Sequence, residues 1–392
     1  MAATASRDRS RVPVRARQRI VAVDAARGVA LLAMMAVHVL PAVDLDGSVS
    51  VGDALARGRA AAAFAVLAGV ALALAYGGRR PLRGREWAAA SSGLVVRCVL
   101  IGALGLVLGG IGSGLAVILT YYALLFLFAA PLLAAGARTL GCLAVATCLL
   151  VPLISHLVRD DLAPFRGASP VWADLGVPGT LLTELTLTGV YPVLAWTTYL
   201  CAGMAVGRLD LASRRVAGFL LGGGAALAAA TALASSALVD KGQAAGALPA
   251  GADVVITRGT TPTDSWWWLV VDAPHSSATL DLAHTTGTAL AVLGALLLLA
   301  PFLGRAALPL AWVGGMTLTL YTLHAVALAY EWGPDDPEPR YLTHVLAAFV
   351  VAAAWRSWQP RGPLEQLVSW PSRAATARLR GPERRPPSSR AG

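Results

Sequence analysis

An acid, a guanidinium and an imidazole lie inside one apolar stretch: Asp24, Arg27 and His38, between about residues 20 and 40. The stretch is long enough to cross a bilayer as a helix. Charges in such a helix are costly, so they face a protein interior or a water-filled cavity. An imidazole there suits proton abstraction near neutral pH. A guanidinium suits two-point binding of phosphate or carboxylate. Arg27 and His38 are eleven positions apart. At roughly 100° per residue they return to one face, displaced by roughly 16 Å along the axis. Asp24 lies within side-chain reach of Arg27. A plainer reading makes Asp24 and Arg27 a membrane-boundary anchor and His38 a satisfied polar residue. Packing alone, however, does not ask for three such groups on one stripe.

The elements that must position this stripe follow from composition. Of 392 residues 56% are hydrophobic and only 14% charged, with mean hydropathy +0.64. These values exclude a soluble globular protein and point to a polytopic membrane protein. The net charge of +10 does not point to nucleic acid, because it is Arg gathered in tails and short loops, as membrane orientation requires. Lys occurs once, at Lys241, as in proteins from GC-rich bacterial genomes. The four cysteines fall in apolar spans with no C-x-x-C or Cys/His ligand spacing. Neither disulfides nor a metal site is expected. The Arg-rich start followed by an apolar run lacks a small-x-small cleavage site, so it reads as an uncleaved first span.

Hydropathy predicts an all-α, polytopic transmembrane helical bundle of about ten spans, near residues 20–40, 60–76, 93–110, 115–135, 140–157, 190–207, 216–239, 286–303, 308–330 and 341–358. Residues 1–19 hold six arginines and are expected to be a disordered cytoplasmic tail. The Arg- and Pro-rich segment 359–392 shows no apolar pattern and is expected to be another. The membrane domain is then 20–358. With both termini cytoplasmic, the inside loops collect Arg79, Arg80, Arg83, Arg85, Arg138, Arg208, Arg214, Arg215 and Arg305, and the outside loops hold the Asp/Glu clusters. That distribution satisfies the positive-inside rule and predicts a multi-pass protein of the cell membrane.

The run Val23-Asp24-Ala-Ala-Arg27-Gly28-Val-Ala30-Leu31-Leu-Ala-Met34 resembles the first catalytic span of the heparan-α-glucosaminide N-acetyltransferase family. The resemblance continues through Gly58-Arg59, Phe64 to Gly69, Ile118 to Tyr122, Pro274-His275-Ser276 and Gly315 to His324. Members of that family are polytopic enzymes that pass acetyl groups from cytosolic acetyl-CoA to an amino sugar across a membrane. Arg27 and His38 are also similar to the first-helix Arg/His pattern of acyltransferase family 3, where the His is a catalytic candidate and an R-x-x-R is linked to the acyl donor. Arg80-Pro-Leu-Arg83 has that spelling, in a loop where basic residues also mark topology. One departure stands out. The heparan enzyme has Asn at the position of His38 and a proposed catalytic His in the following loop, whereas residues 39–52 here contain none. Either His38 has taken that role, or the catalysis differs, or this relative is not an acetyltransferase.

The resemblance implies an acyltransferase using cytosolic acetyl-CoA, with an extracytoplasmic glycan, amino sugar or glycolipid acceptor. His38 is then the base, with Asp24 and Arg27 beside it as catalytic candidates. Arg27, Arg80, Arg83 and Arg97 are the candidate donor-binding residues, and Tyr122, His275 and His324 the candidate acceptor-side groups. His156 and His344 read as structural or surface residues, and Trp266 to Trp268 as an interfacial group or a sugar platform. A multi-pass transporter or flippase is the rival. Paired broken helices and internal repeats would mark it, and the sequence shows neither clearly.

Overall fold

A computed structural model describes residues 14–44, 49–252 and 257–380. The expected tails at 1–13 and 381–392 lie outside these residues. The described chain is helical: α1 (Val14–Val39), α2 (Val51–Ala56), α3 (Arg59–Ala75), α4 (Gly84–Gly109), α5 (Leu119–Leu132), α6 (Ala137–Val158), α7 (Pro178–Thr183), α8 (Val193–Gly207), α9 (Arg214–Ala244), α10 (Thr279–Leu303), α11 (Leu308–Gly314), α12 (Thr317–Ala329), α13 (Pro337–Arg356) and α14 (Pro363–Arg380).

Among the described residues, six stretches are long and apolar enough to cross a membrane: Val21–Val39, Val51–Ala75, Gly84–Gly109, Ala137–Asp161, Arg214–Ala244 and Thr279–Gly314. Pro178–Thr188 and Val193–Gly207 add a seventh if taken as one span bent by 53°. α5 and α12 are apolar but short, with 14 and 13 residues. Each of the ten expected spans coincides with helix, yet fewer than ten pass on length and composition. The polypeptide before α5 is irregular from Ser113 to Val117, and the ninth expected span is interrupted at Gly315-Met316.

α1 runs through the bundle and is buried along Ala22, Val23, Ala25, Ala26, Ala30, Leu31, Met34 and Met35. It meets α11 backbone to backbone. A Cβ on Gly28 would stand 2.4 Å from the Leu310 carbonyl oxygen, and one on Gly314 only 1.6 Å from that of Asp24. No side chain fits at either position. This crossing, enriched in small residues like many helix contacts in membranes, brings the start of α12 against Arg27.

Two expectations about basic and polar segments need correction. Arg208 does not sit free in a cytoplasmic loop: it is 3% exposed. Its guanidinium donates to the carbonyls of Tyr76 (3.0 Å), Gly78 (2.7 Å), Arg80 (3.1 Å) and Leu133 (2.9 Å). One cation thereby satisfies orphan carbonyls near the ends of α3 and α5. The segment after Gln359 is not structureless either. α14 lies against α4, where Ser372 Oγ donates to the Gly93 carbonyl (2.7 Å) and Val368 is buried. Its apolar content was too thin to announce a helix; tertiary contacts hold it.

Candidate active site

α1 presents its three polar groups to the interior. Arg27 Nη1 lies 3.6 Å from Asp24 Oδ1, and Arg27 Nη2 donates to Thr317 Oγ1 at 2.6 Å. Thr317 opens α12, whose free amides are the positive end of a helix. Glu365, from α14, fills that end. It accepts from Leu318 N (2.7 Å), Thr319 N (3.1 Å) and Thr319 Oγ1 (2.6 Å). Beside this cluster lies a cavity of about 230 Å³ lined by Arg27, Arg97, Tyr122, Thr317, Phe126 and Tyr321, among others. Two polar atoms buried at its lining, Arg97 Nε and Tyr122 Oη, have no partner among the described residues. Two guanidiniums and the hydroxyls of Tyr122, Thr317 and Tyr321 in an otherwise apolar hollow suit a chain-like ligand with an anionic end.

A second cavity, of about 640 Å³, holds the other end of the stripe. His38, Arg57, Tyr121, Tyr191, Arg258 and His275 line it with the glycine-rich turn of Gly112 and Gly114. His275 has φ +60°, a conformation uncommon outside glycine. Its carbonyl accepts from Gly259 N (2.8 Å), while Thr257 Oγ1 donates to the Pro274 carbonyl (2.8 Å). The loop is thus clamped from both sides. Burial, and the Arg57 charge after it, push the His275 imidazole down to about 4, so the ring is neutral at neutral pH.

A layer of side chains divides the cavities, supplied in part by neighbouring residues of the same segments. Met34 faces the first and Val37 the second; Ile118 and Val117 divide likewise, as do Tyr122 and Tyr121. Tyr321 closes the layer by accepting from Ile118 N (3.4 Å). Arg27 and His38 thus address different chambers.

Behind His38 lies a third hollow, about 210 Å³ and mostly apolar, which His324 and His344 line. His38 Nδ1 is 3.2 Å from His324 Nε2, and His324 Nδ1 is 2.8 Å from His344 Nδ1. His344 Nε2 is 3.1 Å from the Trp332 carbonyl.

The expected site residues therefore fall into four groups. Arg27, Arg97 and Tyr122 line the first cavity, with Asp24 paired to Arg27; His38 and His275 share the second. Tyr122, expected on the acceptor side with His275, faces the other chamber. His324 touches His38 from behind and does not line the second cavity. Arg80 and Arg83 are apart from all of these: both side chains are exposed, and Arg80 pairs with Glu86 at 2.7 Å. Trp266 is exposed and stacks on His156 at 4.4 Å, away from both chambers. Glu365, Arg57 and Arg258 are not singled out by the sequence; Thr317 enters there only within the Gly315 to His324 run, and His344, read there as structural or surface, is buried against His324. Only the packing of α12, α13 and α14 brings three of them to the site.

The rim of the second cavity rests on an ion cluster. Arg166, flanked by the lining residues Phe165 and Gly167, pairs with both Asp174 and Glu184. The Arg166 guanidinium holds the Asp174 carboxyl below the ordinary carboxylate range, against burial. Its folded pKa is depressed, so its stabilisation is complete above the unfolded value of about 4. It is lost as pH falls through the lower folded value. Melting curves between pH 3 and 6 should show Asp174→Asn losing stability relative to the native protein at pH 6, the gap narrowing as pH approaches 3.

The fold and site define a polytopic α-helical membrane protein with two internal chambers back to back. A sequence profile described as heparan-alpha-glucosaminide N-acetyltransferase, catalytic, matches residues 19–238. The chain belongs to that family, and its function is accordingly membrane acetyltransferase-like. No curated protein matches the sequence.

Proposed function

We propose that this protein is an acyltransferase of the cell membrane. It moves an acetyl or related acyl group from cytosolic acyl-CoA to an extracytoplasmic glycan, amino sugar or glycolipid. The observation that carries this reading is the pair of chambers on one helix, the first lined by Arg27 and Arg97 and the second by His38 and His275 together with Arg57 and Arg258. With ten passes and both termini in the cytoplasm, the Arg27 chamber opens to the donor side and the His38 chamber to the acceptor side. The first chamber admits the acyl-pantetheine arm; Arg27 and Arg97 attract the phosphates at its mouth. The roughly 16 Å between Arg27 and His38 is within the span of that arm. His38 takes the proton from the acceptor hydroxyl or amine as it attacks the thioester carbonyl. The carbon–sulfur bond breaks, and the thiolate leaves on the donor side. The family match supports acetyl as the group and an amino sugar as one acceptor class.

A transporter reading has one observation in its favour: the 53° bend between Pro178–Thr188 and Val193–Gly207, since broken helices often line transport paths. Inverted vesicles containing the protein separate the two. Acetyl-CoA labelled on the acetyl group and added outside should leave label covalently attached to an acceptor in the lumen. Acceptor crossing without covalent label would favour transport and overturn the enzyme.

A further inference from the structure

His38 has a direction built into it. Its Nδ1 contacts His324, whose other nitrogen contacts His344, whose other nitrogen contacts a peptide oxygen. The chain ends at that oxygen, and the end fixes the order. The Trp332 carbonyl can only accept, so His344 Nε2 must carry a hydrogen. A neutral His344 then has a bare Nδ1, which accepts from His324 Nδ1–H. His324 then has a bare Nε2, which accepts from His38 Nδ1–H. That leaves His38 Nε2 with its lone pair, without a partner among the described residues, on the ring that lines the second cavity. The opposite order needs a charged His344. His324 and His344 are 3% and 4% exposed. Among the described residues the one histidine paired with a carboxylate is His284, with Asp272. A buried cation with no counter-charge is disfavoured.

We propose that His324 and His344 are positioning residues that hold His38 as the tautomer with Nδ1 protonated and Nε2 free to take the acceptor's proton. The role rests on the acyl-transfer reading of His38, although the proton order does not. When Nε2 takes that proton, the His38 Nδ1–H stays bonded to His324 Nε2, so the ring keeps its orientation and the charge stays on His38 at the cavity lining. Triads in which a third group sets the tautomer of a histidine base work by the same logic. Here an uncharged peptide oxygen stands in for the usual carboxylate.

The test has two arms. The chain has six histidines, few enough for nitrogen NMR of histidine-labelled protein in lipid bilayers, with assignment by single substitution. At neutral pH His38 should show protonated Nδ1 and bare Nε2; the reverse tautomer would overturn the proposal. In the second arm, His344→Gln keeps one acceptor and one donor, and His344→Phe keeps neither. Turnover should fall at least about tenfold in the Phe variant, at unchanged donor KM and with a displaced acid limb of the pH profile. The Gln variant should recover most of it. A Phe variant with native kcat and pH profile would sink the idea. Should that variant fail to fold, the tautomer measured on native protein still decides. Absence of any transfer by the native protein would defeat the acyltransferase reading and leave the proton order to the NMR arm.

Discussion

Replacing His38 by Ala is expected to lower acyl transfer by about 10²- to 10⁴-fold, the usual contribution of a general base, while acyl-CoA binds as before. The split follows from the partition. His38 lines the second cavity and has no surface in the first, so the donor should not sense its loss. The effect should sit in kcat, because the proton transfer belongs to the transition state and not to ground-state binding. Single-turnover transfer and equilibrium binding, measured on the same preparation, test both halves. Transfer at the native rate would remove His38 from the mechanism. Weakened donor binding would mean that the chambers communicate more freely than their linings indicate.

Arg27→Ala should produce the complementary result. Acyl-CoA affinity should fall roughly 10- to 100-fold, the range for removing a hydrogen bond to a charged group. Any transfer at saturating donor should be less affected. Arg27 is held by Asp24 on its own helix and by Thr317 at the start of α12, so its planar fork is already oriented before a ligand arrives. Lys is not an adequate substitute, since a single ammonium cannot serve both holders and an anion in the same plane. Arg27→Lys should therefore recover only part of the affinity. Calorimetric or fluorescence titration with acyl-CoA reads the change. An unaltered Kd in the Ala variant would leave Arg97 alone to account for the donor site.

The two predictions concern opposite ends of one helix; their common face was legible in the sequence, which pointed to one shared cavity, whereas Arg27 and His38 line separate ones. Eleven residues make just over three whole turns, so Arg27 and His38 had to share a face, and Asp24 had to reach Arg27. Polypeptide spelling was a poorer guide where distance depends on loops. Arg80-Pro-Leu-Arg83 carries a donor-site pattern, yet Arg208 ties the Arg80 carbonyl inward, and both side chains stay in the open. Tyr121 and Tyr122 are neighbours in sequence, but a helix turns them roughly 100° apart, enough to send them into different chambers. His344 could not be recognised as part of the site from α13 alone, because its significance lies in facing His324 across α12. Glu365 sits in a segment whose composition suggests a tail, and only the exposed amides of α12 explain why it is held. Fewer than ten helices pass on length and composition among the described residues, because the chain interrupts its apolar runs before α5 and at Gly315-Met316.

The layer that includes Met34, Ile118, Tyr122 and Tyr321 has a second consequence, for the cell and not for the substrate. A membrane that maintains a voltage must insulate, and under the proposed topology these side chains are what insulates one chamber from the other. Shaving one of them, as in Tyr122→Ala, would join the compartments into a conduit, and its signature would be proton leakage and collapse of the voltage, whatever became of the chemistry.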